Sequence, residues 1–129
     1  MTTTTIQPVD WAQEIWRTSA AERMEKEAGD WVEVLEFGYY DYSWDIFKAF
    51  WSPSAGRYFW RGAGGCSCDD YWSYMDGPVD FEDGDRRALV RAIREFGTEE
   101  GETSSWYSGI TASDTKAAIQ TASTFREFR

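Results

Sequence analysis

Residues 42–61 read Tyr42-Ser43-Trp44-Asp45-Ile46-Phe47-Lys48-Ala49-Phe50-Trp51, then Ser52-Pro53-Ser54-Ala55-Gly56, then Arg57-Tyr58-Phe59-Trp60-Arg61. Aromatic residues dominate both outer runs, and Tyr42, Trp44, Ile46 and Phe50 fall at even spacing, which places them on one face of a pleated strand. The five residues between the runs are turn formers, so the chain doubles back as a hairpin. Immediately upstream, Asp30 to Phe37 contains Trp-Val-Glu-Val-Leu-Glu-Phe, again a strand composition. The stretch from Trp31 to Arg61 therefore predicts a three-stranded antiparallel meander.

Helical patterns flank this centre. Pro8-Val9-Asp10 opens a run in which Ala12, Ile15, Trp16, Ala20 and Met24 recur near a 3.6-residue period, and Gly29 ends it. Ser19-Ala20-Ala21-Glu22 has the spacing of a capping box, so the run is expected to break near Thr18 into two helices within 10–28. Asp83-Gly84-Asp85 caps a helix over 84–96, with Leu89, Ala92, Ile93 and Phe96 on one side and Gly97 as its stop. Ser113-Asp114 starts a last helix to about residue 127, with Ala118, Ile119, Ala122 and Phe125 inward. A short fourth strand is expected from Ser104 to Ile110, and Tyr71 to Glu82 reads as an ordered loop or edge segment. The order predicts an α+β domain over 8–129, with a three- to four-stranded antiparallel sheet, about three helices on one side of it, and a flexible tail over 1–7.

Composition bounds the core. Leu, Ile, Val and Phe account for only 21 of 129 residues, a level that with high net charge usually signals disorder. Eight Trp and seven Tyr reverse that reading, because each large ring buries roughly 150–250 Å². A folded domain with an aromatic core follows. The formal net charge of −10 is uneven: 1–38 carries eight acids against three bases, 69–102 eleven against four, and the remaining segments are each at +1. Such a surface repels nucleic-acid phosphate and anionic lipid, and either keeps the protein soluble or attracts a basic partner. No apolar run reaches the roughly 18–20 residues of a membrane span, and the Thr-rich start lacks the regions of a signal peptide, so a cytoplasmic protein is expected.

Gly62-Ala63-Gly64-Gly65-Cys66-Ser67-Cys68-Asp69-Asp70-Tyr71-Trp72 holds both cysteines and reads as a shaped glycine loop. Neighbouring cysteines separated by one residue rarely reach relaxed disulfide geometry, so free thiols are expected. Cys66 and Cys68 pack the loop, or with Asp69 and Asp70 serve a metal or redox site; a closed zinc site lacks two of its four ligands, and the adjacent carboxylates oppose thiolate formation. No metal and no cofactor are expected. The chain has no histidine, which removes the common neutral-pH base and the Ser-His and Cys-His arrangements. Carboxylate pairs such as Asp69 with Asp70 and Asp83 with Asp85 could serve a hydrolase, but with 23 acids present they carry little specificity. The glycines match neither dinucleotide nor P-loop patterns. Arg87, Arg91 and Arg94 line one side of their helix, where an ion-paired face is the ordinary expectation.

The segment Tyr58-Phe59-Trp60-Arg61-Gly62-Ala63-Gly64-Gly65-Cys66-Ser67-Cys68, with strand-like aromatics before it and an aromatic-acidic segment after it, resembles small acidic proteins encoded by actinobacteriophages, in which a Gly-Cys-Ser-Cys element follows an aromatic hairpin. The resemblance covers roughly 37–96. Asp69-Asp70-Tyr71-Trp72 keeps that pattern's Trp and lacks its Pro. The resemblance implies a phage protein in a bacterial host cytoplasm and supplies no catalytic residues.

The expected function is a non-enzymatic accessory protein that binds and modulates a host protein through an acidic, aromatic-rich surface, with a metal or redox module at the Cys-x-Cys loop as the alternative. The partner would carry a basic or nucleic-acid-binding surface, and neither nucleic acid nor membrane is expected to bind directly. Tyr71 and Trp72 are the candidate anchors, with Asp69, Asp70, Asp80, Glu82 and Asp83 around them. The competing reading has Trp72 close the end of the core.

Overall fold

The computed structural model describes the backbone of residues 6–16, 18–103 and 109–129, and the side chains of all of these except 18 and 99–103. Its centre is a four-stranded antiparallel meander of β1 (Val32–Tyr40), β2 (Ser43–Ser52), β3 (Arg57–Cys66) and β4 (Glu82–Gly84), paired in that order. The α+β class and the meander follow the sequence pattern. Among the described residues the fourth strand is β4, at the edge of β3; most of the strand expected from Ser104 to Ile110, residues 104–108, lies outside the described residues.

The helices are α1 (Trp11–Glu14), α2 (Thr18–Glu27), α3 (Arg86–Thr103) and α4 (Ala112–Thr124). The first pair confirms the break near Thr18, although Ser19 lies inside α2 instead of capping it. Asp85 caps α3, its carboxylate accepting from the Ala88 amide at 2.9 Å. Thr111 and Asp114 form the box that opens α4. Gly97 does not stop α3. It is buried where α3 crosses α4, and a Cβ there would meet Thr115 Cγ2 at 2.7 Å, so the glycine serves close helix packing.

The expectation of helices on one side of the sheet is corrected by β2, whose two faces both point into a core. Trp44, Ile46 and Phe50 pack with Trp11, Ile15 and Met24 of the N-terminal segment and with Tyr71, Trp72 and Phe81. Phe47, Ala49 and Trp51 face the other way, against Leu89 and Ile93 of α3 and Ala118 and Ala122 of α4. A strand buried on both faces reads as a continuous apolar run, and β2 does so from Ile46 to Trp51, with Lys48 as its one charged member. In β1 the pairing steps from Glu33 opposite Phe50 to Leu35 opposite Ala49, leaving Val34 as a bulge. That extra residue lets Val32 and Leu35 enter the same core despite their odd separation.

Four indole N–H groups are satisfied within this aromatic interior: Trp11 donates to Ala28 O at 2.9 Å, Trp51 to Phe128 O at 2.8 Å, Trp60 to Glu82 Oε2 at 3.0 Å, and Trp44 to Cys66 O at 2.9 Å. Among the described residues no helix is long and apolar enough to cross a membrane.

Candidate functional site

The sheet register brings the β1–β2 turn and the cysteine segment to one end of the molecule. Tyr40 pairs with Trp44, and Ser43 pairs with Cys66, so Tyr40-Asp41-Tyr42 and Cys66-Ser67-Cys68-Asp69-Asp70 lie beside each other. Gly62 to Cys66 is strand, not loop. Its glycines are required by close approach: a Cβ on Gly65 would collide with the Asp69 carboxylate and meet Trp44 Cζ2 at 2.8 Å. The Trp44 indole lies over the bare strand and donates to Asp69 Oδ1 at 3.2 Å, fixing that carboxylate at the sheet end.

Cys66 and Cys68 are joined as a disulfide, with Cα atoms 5.5 Å apart, which corrects the expectation of free thiols. The tight turn after β3, closed by the Asp69 amide donating to Cys66 O at 3.2 Å, brings the two positions within disulfide reach. Their sulfurs and one Asp69 carboxylate oxygen all lie within 4.8 Å of one another, so once the bridge is reduced to thiols these three side chains form a group, among the described residues, that could hold a soft metal ion. Asp70 is exposed; its Oδ1 accepts from the Trp72 amide at 3.0 Å and from the Ser73 hydroxyl at 3.2 Å.

Tyr71 and Trp72 are not surface anchors. Both are buried, Tyr71 at 2% and Trp72 at 5% exposure. Trp72 stands edge-on to Trp11 with centroids 5.7 Å apart, and Tyr71 donates its hydroxyl to Arg61 O at 2.9 Å while Arg61 returns a bond to Tyr71 O at 2.6 Å. Burial raises the Tyr71 phenol well above its ordinary value, with Arg61 opposing the rise. Below the two rings lies Lys48, its Nζ 5.3 Å from each centroid, 3.2 Å from Glu14 Oε1 and 3.7 Å from Glu36 Oε1. Following a glycine run leaves such rings available as anchors, but the competing reading, in which Trp72 closes the core, is the one its burial matches: the aromatic demand of a leucine-poor core claims both rings.

Asp80, Glu82 and Asp83 sit elsewhere. Asp80 accepts from the Asp76 and Gly77 amides at 2.7 and 3.2 Å, Glu82 accepts from Trp60, and Asp83 pairs with Arg57. Asp83 lies opposite Phe59, seven residues along β3 from Cys66, or about 23 Å at the usual strand rise. The seven expected residues therefore divide into Asp69 and Asp70 at the exposed sheet end, two buried rings behind them, and three acids with structural partners along the β4 edge.

Residues 24–127 match a family model described as a domain of unknown function, DUF7574. The chain belongs to that family. No curated protein and no solved structure matches it. Within this family member the exposed rings at the sheet end are Tyr40 and Tyr42, at 64% and 85% exposure; the sequence pattern passes over Tyr40 and places Tyr42 on the strand face of Trp44, Ile46 and Phe50, whereas β2 begins at Ser43 and leaves Tyr42 exposed in the turn. The signal was present: a Tyr-Asp-Tyr between two strand runs must be the hairpin turn, where side chains project past the sheet. Desolvation of the Tyr40 hydroxyl, its 2.7 Å bond to Glu36, and the charges of Glu36, Glu14 and Asp70 raise that phenol above its ordinary value. The hydroxyl is thus turned toward acids while the ring remains open to a partner.

Proposed function

We propose that this domain is a non-enzymatic accessory protein of bacteriophage type, working in a bacterial host cytoplasm, that binds and modulates a host protein through the acidic, tyrosine-bearing end of its sheet. The observation that carries the reading is the juxtaposition of exposed Tyr40 and Tyr42 with Asp41, Asp69 and Asp70 on a rigid strand register. Tyrosine supplies large contact area at low entropic cost, and the carboxylates steer a basic partner and suppress acidic ones. The absence of histidine supports a binding role over catalysis. The resemblance around Gly65-Cys66-Ser67-Cys68 supports the phage setting.

The test is affinity capture from bacterial lysate followed by kinetics with the captured protein. Tyr40→Ala with Tyr42→Ala is expected to weaken binding at least tenfold, the scale of one interface hot spot at about 1.4 kcal/mol or more. Asp41→Asn, Asp69→Asn and Asp70→Asn should slow association and flatten its salt dependence. A partner whose affinity is indifferent to all five changes removes this end of the sheet as the interface. The alternative, a metal module, is favoured by the Cys66, Cys68 and Asp69 cluster. Stoichiometric zinc retained by the thiol-reduced protein, and lost in Cys68→Ser, would decide for it.

A further inference from the structure

Every cation of the strongly acidic segment 69–102 sits on one helix, and all four line the same groove. Arg86, Arg87, Arg91 and Arg94 of α3, with Val90 between them, border a shallow groove of about 560 Å³ that is open to solvent. The ordinary expectation for such a stripe is pairing with nearby acids. It is not met: among the described residues Arg87, Arg91 and Arg94 take part in no ion pair or side-chain hydrogen bond, although the chain carries 23 acids. Glu95, one turn beyond Arg91, is not paired with it, and the Asp85 carboxylate is occupied capping α3. Arg86 alone is anchored. It donates to Ala122 O at 2.8 Å, Ser123 O at 3.0 Å and Glu127 Oε2 at 3.0 Å, and lies 5.9 Å over the Tyr58 ring, which makes one wall of the groove rigid.

From this geometry we propose that the α3 groove binds a compact polyanion bearing phosphoryl groups, such as an inorganic or organic triphosphate. Three guanidiniums at i, i+4 and i+7 form one ridge with neighbours about 5–6 Å apart, and each fork can donate two N–H bonds to a pair of phosphate oxygens. A phosphate carries about −1.5 to −2, so two of them balance the three unpaired arginines, Arg86 being held by Glu127, which single carboxylates do less densely. No aromatic side chain lines the groove, so a nucleobase finds no stacking platform and recognition is confined to phosphate. The site lies on α3 and shares no residue with the Tyr40 and Tyr42 end of the sheet, so it stands independently of the host-protein reading.

The experiment is isothermal titration of the full chain with inorganic triphosphate, ATP and citrate at low ionic strength. Saturable triphosphate binding is expected, with ATP within about threefold of it and citrate at least tenfold weaker. Arg87→Gln, Arg91→Gln and Arg94→Gln should each weaken triphosphate about tenfold, the equivalent of one charge-assisted bond. Lys116→Gln, on α4, should leave it unchanged. These are exposed positions, and an unaltered thermal melt for each single variant confirms that folding is retained. Absence of saturable binding at millimolar triphosphate, or binding untouched by the three single substitutions, overturns the proposal. Citrate equal to triphosphate overturns the phosphate assignment, and ATP more than tenfold tighter overturns the exclusion of the base.

Discussion

Replacing Trp72 by alanine distinguishes a core ring from a docking ring. Trp72 is 5% exposed and lies 4.7 Å from Tyr71, 5.7 Å from Trp11 and 6.4 Å from both Phe50 and Phe81, centroid to centroid, with Lys48 Nζ 5.3 Å from its ring. Truncating a buried Trp costs about 3–5 kcal/mol, and the neighbours here are themselves rigid rings that collapse poorly into a cavity, which puts the expected loss in the upper half of that range. A domain of this size has roughly 5–15 kcal/mol in total, so Trp72→Ala should be marginally folded. Tyr42→Ala, at a ring 85% exposed, should stay within about 0.5 kcal/mol of wild type. Urea unfolding followed by far-ultraviolet dichroism measures both without relying on the deleted fluorophore. A Trp72→Ala loss below about 1.5 kcal/mol with an unchanged denaturant slope would refute the packing argument.

Two further outcomes follow from charged groups. Burial pushes the Asp30 carboxyl up, but bonds from the Ser54 side chain and amide and from Ser52 outweigh it and hold the group below its ordinary 3.8. A depressed folded value contributes stability that is present above 3.8 and lost as pH falls through the lower folded value, so Asp30→Asn should flatten the acid limb of a pH–stability profile. An unaltered acid limb would contradict that assignment. Lys48→Met should fall within about 1 kcal/mol of wild type, because the lysine stem already packs as an apolar chain and an apolar replacement of a buried ion pair is often near neutral. Its partners Glu14 and Glu36, at 38% and 36% side-chain exposure, remain hydrated. A loss above about 3 kcal/mol in urea would show that the ion pairs themselves secure α1 to the sheet.

The elements with local signals were legible. The even-spaced Trp44, Ile46 and Phe50, the turn at Ser52–Gly56, the cap at Asp85 and the face Leu89, Ile93 all correspond to what the structure shows, whereas Tyr42, expected on the same strand face, lies outside β2 and is exposed. The misses share a cause: they depend on contacts distant in sequence. Gly97 resembles a helix stop until Thr115 is found against it. Gly62, Gly64 and Gly65 resemble a loop until Phe96, Asp45 and Trp44 are found covering them. β4 is three residues long and owes its existence to pairing with Tyr58, Phe59 and Trp60, which no window of 82–84 reveals. Within the candidate site, paired acids at 69–70 were legible as exposed or capping groups, whereas the fate of Tyr71 and Trp72 depended on how many rings the two cores required.

That requirement also explains where a binding surface remains. β2 gives its even positions to one core and its odd positions to the other, so neither broad face of the central sheet is left open to a partner. The acidic β4 edge is occupied too, since Asp83 holds Arg57 and Glu82 holds Trp60. Exposed features then remain at the strand ends, on the outer sides of helices and in the connecting segments that carry Trp16, Tyr74 and Val79. The first set contains Tyr40, Tyr42, Asp69 and Asp70; the second contains the arginine ridge of α3. The two carry opposite charge and belong to different layers, so a ligand on one has no reason of charge or contact to compete with a ligand on the other. Triphosphate at saturating concentration should accordingly leave the affinity of a partner bound at the tyrosine end unchanged, and a coupling of fivefold or more would mean that α3 and the sheet it packs on transmit a change from one site to the other.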